Sequence, residues 1–369
     1  MRIFSILIIL VTLFSLAGHV PASPLIEISK EDLQKLHTQA AQGNVRAQTA
    51  LGEFYDIGDY VPQNYATARG WYEKAAAQGD KEAQYNLGLL YAEGRGVPQD
   101  YTTARQWWEK SAVQGTAQAQ YNLGILYDKG RSVPQDYPVA REWYQKAAVQ
   151  GLAEAQSNLG LMYQNGSGVP QDYTQARLWF EKSAAQGFAT AQVNLGGLYA
   201  TGLGVPQDYT VARAWYEKAA DHGDANAQFN LGVLYAKGRG VPQDYTQARL
   251  WYERSAAQGN ANAQINLSAL YATGQGVPQD YAKARQWLEQ AVAQGNAVAQ
   301  NNLGYLYVDG KGVPNMWFNL SVEQYLRQSR KNMETAQRRD AIAKQLTPAQ
   351  IAEAQRLAQQ CQAQQFKGC

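Results

Sequence analysis

The sequence contains few of the residues that build metal centres or disulfide scaffolds. Only two cysteines and three histidines occur among 369 residues, which excludes a protein that depends on several metal sites or many disulfides. The 33 basic and 31 acidic residues leave a net charge of +2. That charge is too small for a protein that binds nucleic acid or an anionic membrane through its overall charge. Charged residues are also scarce, at 17 %, while 45 % of residues are hydrophobic, a composition that predicts a folded chain.

Long apolar runs are absent except near the first residue. Residues 3–17 form one such run after Arg2, and the sequence Val20-Pro21-Ala22 follows it. A run of about 15 residues is short for a membrane-spanning helix and typical of a signal peptide, although a retained membrane anchor is the alternative. We therefore expect residues 1–22 to be a signal peptide cleaved near Ala22. The mature protein is then expected to be periplasmic or secreted, without a stable membrane anchor.

The two cysteines, Cys361 and Cys369, lie close to the last residue of the sequence. An oxidising compartment would permit one bridge between them. On one continuous helix, however, their Cα atoms would be about 12 Å apart, beyond the bridging limit of about 7 Å. A bridge therefore requires a bend after Gln360, and both a bridge and two free thiols remain open.

Most of the chain is a repeat of 36 residues. A proline that follows valine marks each repeat and recurs at this spacing. These prolines are Pro62, Pro98, Pro134, Pro170, Pro206, Pro242, Pro278 and Pro314. Periods of 20–50 residues indicate a solenoid or an array of repeats rather than separate globular domains.

The first half of each repeat has the pattern of an amphipathic helix. In the unit that begins at Asp80, the apolar residues Ala83, Leu87, Leu90 and Tyr91 share one helix face. Asp80 is a good N-cap, and a polar residue recurs at its position. The recurring candidates are Asn44, Thr116, Asp224, Asn260 and Asn296, whereas Leu152 and Phe188 break the pattern. Gly94 is placed to end the helix in a left-handed conformation.

The second half of each repeat predicts another helix. It begins after Asp100, and we expect it to bury a set of mostly aromatic residues and to end at Gly115. That set is Tyr101, Ala104, Trp107, Trp108 and Ala112. A glycine in the middle of the first helix, Gly88, recurs in most repeats and is replaced by Ser268 in one. Because glycine is unfavourable inside a helix, its recurrence predicts a close approach between helices.

These motifs resemble those of the Sel-one-like repeat (SLR) family, 36-residue relatives of the tetratricopeptide repeats. The resemblance rests on three motifs that recur together. They are A-x-A-Q-x-N-L-G-x-L-Y, G-x-G-V-P-Q-D-Y and A-R-x-W-Y-E-K-A-A-x-Q-G. The chain departs from the pattern at Tyr60 and Ser132, which replace a loop glycine, and in the shortened link between Pro314 and Trp317.

The resemblance implies an all-α fold, a right-handed α-solenoid superhelix of about eight antiparallel helix pairs with terminal helical caps. We expect a signal peptide at 1–22, an N-terminal capping helix within 23–43, eight repeats at 44–320, and C-terminal capping helices within 321–369. Ser29 is a candidate N-cap of the first capping helix, and Thr347-Pro348 a candidate start for the last.

Two ladders of side chains follow the period. A tryptophan recurs in the second helix, and we expect core packing there rather than a stacking platform for ligands. Its members are Trp71, Trp107, Trp143, Trp179, Trp215, Trp251 and Trp287. Arginine and glutamate recur four residues apart, as at Arg105 and Glu109, which predicts ordinary helix-surface ion pairs and no uncompensated basic surface for nucleic acid.

A third set of residues is the candidate binding site. By analogy with tetratricopeptide repeats, the first helix of each repeat is expected to line a concave face. An asparagine recurs there, and its amide can both donate to and accept from a peptide backbone. The candidate partner-binding residues are Tyr85, Asn86, Leu89, Tyr121, Asn122, Ile125, Asn158, Leu161, Asn194, Phe229, Asn230, Val233 and Asn266. The alternative is that these asparagines bond a neighbouring helix and fix the repeat geometry.

The sequence therefore predicts an exported, monomeric scaffold that holds a protein or an extended peptide, with no catalytic residue, metal or cofactor. The alternative function is that of a hydrolase acting on cell walls or β-lactams, as described for cysteine-rich SLR proteins. These repeats contain no cysteine pair, and no S-x-x-K or G-x-S-x-G motif occurs.

Overall fold

The computed structural model describes residues 29–308, which form 16 α-helices and no strand. Helix α1 precedes the repeats, even-numbered helices are the first helices of the repeats, and odd-numbered helices from α3 onward are the second. The helices are α1 Lys30–Ala41, α2 Val45–Ile57, α3 Tyr65–Ala77, α4 Lys81–Glu93, α5 Tyr101–Val113, α6 Ala117–Lys129, α7 Tyr137–Val149, α8 Ala153–Asn165, α9 Tyr173–Ala185, α10 Ala189–Thr201, α11 Tyr209–Asp221, α12 Ala225–Lys237, α13 Tyr245–Ala257, α14 Ala261–Thr273, α15 Tyr281–Ala293 and α16 Ala297–Val308.

The chain divides into two compact units, Met1–Ser183 and Ala184–Cys369, hereafter unit 1 and unit 2. In unit 1 each of α1 to α7 packs against the next helix along the chain, and the Ser183 hydroxyl of α9 donates to the Ala153 carbonyl of α8 at 2.7 Å. In unit 2 each of α10 to α15 packs against its successor. This confirms the predicted all-α solenoid of helix pairs, while its handedness stays a prediction.

Side-chain caps and glycine turns set the helix ends. The Asp80 carboxylate accepts from the Ala83 N–H at 2.8 Å, and the Asp100 carboxylate accepts from the Thr102 N–H at 2.8 Å. Gly94 ends α4 with φ of 70°, as predicted. The expectation for Thr116 is wrong, because its hydroxyl makes no capping bond and is buried without a partner among the described residues.

The mid-helix glycines admit an aromatic ring of the following helix. A Cβ atom at Gly160 would lie 2.6 Å from Cε1 of Phe180, so the predicted close approach is confirmed. The same pairing recurs along the chain as Gly52 with Tyr72, Gly88 with Trp108, Gly124 with Tyr144, Gly196 with Tyr216 and Gly232 with Tyr252. Where Ser268 replaces the glycine, the smaller Leu288 occupies the ring position.

The structure corrects the predicted core role of the periodic tryptophan. Trp107 is only half-buried, and the Lys110 ammonium lies 4.0 Å from the centre of its ring, a cation–π contact. The next residue, Trp108, is 4 % exposed. Trp71, Trp143, Trp215 and Trp251 are likewise half-buried beneath a lysine or arginine, and Trp179 alone of these periodic residues is buried. Tyr101 is also half-buried, since it starts its helix at the edge of the core.

A network of glutamine side chains joins successive repeats. Gln120 is 6 % exposed. Its amide donates to the Ala112 carbonyl at 3.0 Å and accepts from Gln150 at 2.8 Å. The side-chain amide of a later glutamine donates in the same way to the side chains of Gln48, Gln84, Gln228 and Gln264. Since buried amides are costly without partners, this network fixes how consecutive helices meet.

Several predictions concern residues outside the described range of 29–308. These are the signal peptide at 1–22, the end of the eighth repeat, the capping helices within 321–369, and the state of Cys361 and Cys369. Within 23–43 the predicted capping helix is α1, whose first turn is capped by Ser29 accepting from the Asp32 N–H at 3.0 Å.

Candidate functional site

The predicted partner-binding residues lie at three recurring positions of the even-numbered helices. We call them together the first-helix surface. Every one of them is half-buried, neither inside the core nor fully exposed. In unit 1 they are Tyr85, Asn86 and Leu89 on α4, Tyr121, Asn122 and Ile125 on α6, and Asn158 and Leu161 on α8. In unit 2 they are Asn194 on α10, Phe229, Asn230 and Val233 on α12, and Asn266 on α14.

The aromatic members of the first-helix surface also support the core. The rings of Tyr121 and Tyr144 are 5.7 Å apart, and those of Phe229 and Tyr252 are 6.0 Å apart. Tyr85 packs against the buried cluster around Trp108. One side of each ring is therefore committed to packing, and only the other side is available to a partner.

The recurring asparagine occupies three different environments. Asn266 donates from Nδ2 to the Tyr252 hydroxyl at 3.1 Å, so at this position the alternative interpretation, a bond to a neighbouring helix, is confirmed. The Asn122 and Asn158 amides lie beside the hydroxyls of Tyr85 and Tyr121, the tyrosines of the preceding repeat. Burial raises the pKa of both tyrosines, and these amides partly offset that effect.

The remaining amides of the ladder are free to bond with a ligand. Asn86, Asn194 and Asn230 make no side-chain hydrogen bond with any residue that the structure describes. They occupy the register of Asn266 in other repeats. A half-buried amide without an internal partner retains its donors and its acceptor for solvent or for a bound chain.

Carboxylates are concentrated on the first helices of unit 1. Helices α2, α4, α6 and α8 carry Glu53, Asp56, Glu82, Glu93, Asp128 and Glu154, whereas α10, α12, α14 and α16 carry no acidic residue. Glu53 is missing from the predicted site, although it stands one period before Leu89. Alignment of the repeats by position, rather than a search for a shared residue type, would have found it.

Glu53 is the most perturbed of these carboxyl groups. Burial, followed by the negative charges of Asp80, Glu82 and Asp56, raises the pKa of Glu53 to about 7. Its neighbours are already engaged. Asp80 accepts from the Thr49 hydroxyl at 3.0 Å, and Asp56 pairs with Arg95 at 2.8 Å. The first repeat therefore presents a carboxyl group that is protonated below about pH 7.

The raised pKa gives a prediction for Glu53→Gln. Because the pKa is higher in the folded chain than the usual value of about 4.3, the protonated group stabilises the fold fully below that value. The stabilisation is lost as the pH rises through about 7. We expect Glu53→Gln to raise the free energy of unfolding by about 1–2 kcal/mol at pH 8 and to change it little at pH 4. Urea denaturation of both proteins at each pH measures the difference, and an equal difference at both values would contradict the assignment.

The predicted surface ion pairs are also present. Arg105 contacts Glu109 at 2.6 Å, and Arg177 contacts Glu181 at 2.7 Å. Among residues 29–308 no group of histidine, cysteine, aspartate and glutamate is arranged to hold a metal ion. No helix in this range has the length and apolar character that crossing a membrane requires.

Comparison with known proteins identifies the repeat. The profile of the Sel1 repeat matches eight consecutive segments, at residues 45–80, 81–115, 117–152, 153–188, 189–224, 225–260, 261–296 and 297–315. The chain belongs to the Sel1 repeat family. Each of the first seven matches contains one pair of helices, as the 36-residue period predicts.

Solved structures of Sel1 repeat proteins have the same fold. A protective antigen of uropathogenic Escherichia coli, described as displaying an SLR fold, is 29 % identical, with 90 % of this chain and 94 % of that chain covered and a TM-score of 0.58. A Sel1 repeat protein from Oxalobacter formigenes is 38 % identical, with coverage of 76 % and 83 % and a TM-score of 0.62. None of the curated proteins is similar enough in sequence to match this chain.

Proposed function

We propose that this Sel1 repeat protein is an exported interaction scaffold whose first-helix surface holds an extended segment of a protein partner. Solenoids of this kind are typically non-catalytic, and their repeats present a continuous series of equivalent positions. The proposal includes the expected concavity of this surface, the periplasmic or secreted location and the monomeric state.

The observation that carries the proposal is the set of free amides on the first-helix surface. Asn86, Asn194 and Asn230 are half-buried and make no side-chain bond within the described residues. Stacked helices lie about 10 Å apart, which equals about three residues of extended chain. Within unit 2, Asn194 and Asn230 belong to consecutive repeats and so have this spacing, which suits a peptide backbone. The varied neighbours at the positions of Leu89 and Phe229 suit the choice of side chains.

The test removes only the amides that make no side-chain hydrogen bond within the described residues. We expect Asn86→Ala/Asn194→Ala/Asn230→Ala to keep the helical content and thermal midpoint of the wild type, because no internal bond is lost. The same variant is expected to bind the partner at least about tenfold more weakly. The partner is first captured by the wild-type chain from the native envelope fraction and identified by mass spectrometry. Its binding to each purified variant is then measured by calorimetry.

Asn266→Ala is the matched control. It removes an amide of the same ladder that is already bonded to Tyr252, so it is expected to lower the thermal midpoint while changing partner affinity less than the triple variant. Unchanged affinity in the triple variant would overturn the proposal. Loss of helicity in that variant would show that these amides are structural and would also overturn it.

A further inference from the structure

One part of the first-helix surface combines negative charge with hydroxyl groups. We call Tyr121 and Asp128 on α6, Tyr144 on α7, and Glu154, Ser157 and Asn158 on α8 the unit 1 polar cluster. Each carboxylate of the cluster lies within electrostatic reach of two tyrosine hydroxyls. The negative charge of Glu154 raises the pKa of Tyr85 and of Tyr121. The negative charge of Asp128 raises the pKa of Tyr121 and of Tyr144.

Two hydroxyl groups of the cluster lack partners. Tyr144 and Ser157 are each 1 % exposed, and neither hydroxyl makes a hydrogen bond with a residue that the structure describes. The Asn158 amide lies beside the Tyr144 hydroxyl, and the centres of the Tyr121 and Tyr144 rings are 5.7 Å apart. Ser157 stands at the register of Tyr85 and Tyr121, so this repeat carries a small hydroxyl residue where those repeats carry a ring. Buried polar groups without partners are uncommon and often mark a ligand or water position.

The negative charges of the cluster are poorly compensated. Within the part of the chain that the structure describes, Asp128 pairs only with its neighbour Lys129, at 2.8 Å, and the Lys129 side chain is 60 % exposed. Glu154 forms no ion pair within residues 29–308. Arg95, which acts on Tyr85, already contacts Asp56 and Glu93, each at 2.8 Å. A ligand that brings N–H donors and positive charge would satisfy both the carboxylates and the hydroxyls.

We propose that the unit 1 polar cluster binds a cationic side chain, a lysine or arginine carried by the extended partner segment. This inference rests on the proposed scaffold function and specifies the chemistry of its partner. Glu154 and Asp128 supply the charge, and the oxygens of Asn158, Tyr121 and Tyr144 accept hydrogen bonds from the ammonium or guanidinium group. The partner segment therefore carries a basic residue where it crosses α6 and α8.

The equivalent positions of unit 2 lack this chemistry. The register of Glu154 is occupied there by Thr190, Asn226, Asn262 and Val298, and that of Asp128 by Ala200, Ala236, Ala272 and Val308. Val193, Phe229 and Ile265 stand at the register of Ser157, and the Tyr252 hydroxyl is bonded to Asn266. Preference for a basic residue is thus a property of unit 1.

The experiment uses three fluorescein-labelled peptides, four repeats each of Ala-Lys-Ser, Ala-Gln-Ser and Ala-Glu-Ser, measured by fluorescence anisotropy with the whole mature protein. We expect the lysine peptide to bind at least about tenfold more tightly than the glutamine peptide and the glutamate peptide not to bind. Raising the salt concentration is expected to weaken the binding of the lysine peptide only.

Three variants locate the binding. Asp128→Asn/Glu154→Gln is expected to lose the preference for lysine over glutamine. Asp59→Asn/Glu142→Gln, which changes the net charge equally at two exposed positions, is expected to keep it. Tyr144→Phe removes a hydroxyl without a partner, so it is expected to weaken binding of the lysine peptide while leaving the thermal midpoint unchanged or higher.

Equal binding of the lysine and glutamine peptides, or an unchanged preference in Asp128→Asn/Glu154→Gln, would overturn the inference. This failure is distinguishable from failure of the scaffold function. If the native partner is lost by the asparagine triple variant but retained by Asp128→Asn/Glu154→Gln, the scaffold role stands and the cationic site does not.

Discussion

Gly160→Ala is expected to destabilise the protein by about 2–3 kcal/mol, although alanine favours a helix over glycine by about 1 kcal/mol. The reason is the ring of Phe180, which is fully buried and whose Cε1 atom lies 2.6 Å from the position that the new Cβ would take. Neither the ring nor the helix backbone can move without disturbing the core around it. Urea denaturation followed by circular dichroism measures the loss.

Two further variants separate the steric effect from helix propensity. Gly70 lies inside α3 with no atom within 4 Å of a Cβ built on it, so Gly70→Ala is expected to stabilise the protein by about 0.5–1 kcal/mol. Gly160→Ala/Phe180→Leu imitates the native pair Ser268 and Leu288. We expect its loss of stability to be smaller than the sum of the losses caused by the two single substitutions. A neutral effect of Gly160→Ala would contradict the close packing of helix and ring.

The second large effect distinguishes two adjacent tryptophans. We expect Trp108→Ala to cost about 3–5 kcal/mol and Trp107→Ala about 1–2 kcal/mol. Trp108 is 4 % exposed, packs against Gly88 and donates from Nε1 to the Tyr85 carbonyl at 3.2 Å. Trp107 is half-buried and contacts Lys110, so its removal leaves a shallow depression rather than a cavity.

Denaturation midpoints of the two variants under identical conditions decide between the assignments. Lys110→Ala is the companion control, expected to cost less than about 1 kcal/mol because it removes only an exposed cation–π contact. Equal losses for Trp107→Ala and Trp108→Ala would show that the periodic tryptophan belongs to the core after all.

The period predicts the helices and their ends because those depend on local chemistry. Asp80, Asp100 and Gly94 act within a few residues of themselves, and each has its predicted role. Thr116 does not, since its hydroxyl is buried rather than turned to the first amides of α6. A residue type in the sequence shows that a capping hydrogen bond is possible. The packing of the neighbouring repeat determines whether that bond forms.

The assignment of the core was wrong where recurrence was taken as a sign of burial. Trp107 is half-buried against a core cluster and contacts Lys110 on the helix surface, whereas the buried position next to it varies between Tyr72, Trp108, Phe180 and Leu288. This buried position accepts any large side chain that packs against the glycine or serine of the preceding helix. A residue type that recurs at one position of the repeat therefore does not by itself show that the position is buried.

The sequence predicts on which helix positions the candidate residues lie, but not which of their side chains are hydrogen-bonded within the protein. The register of Asn86 and Leu89 locates the first-helix surface, and all its members are half-buried. Which amides are bonded depends on contacts with other helices, such as that between Asn266 and Tyr252. The same applies to the unit 1 polar cluster, whose members come from α6, α7 and α8 and share no sequence motif.

The most direct test of the scaffold account is photo-crosslinking at defined surface positions in the living cell. Benzoylphenylalanine introduced at Ile125, Leu161 or Val233 is predicted to give a covalent adduct with the partner. The same residue at Val149 or Leu178, exposed on second helices at 67 % and 39 %, is predicted to give none. Adducts from Val149 and Leu178 without adducts from Ile125, Leu161 and Val233 would contradict the account.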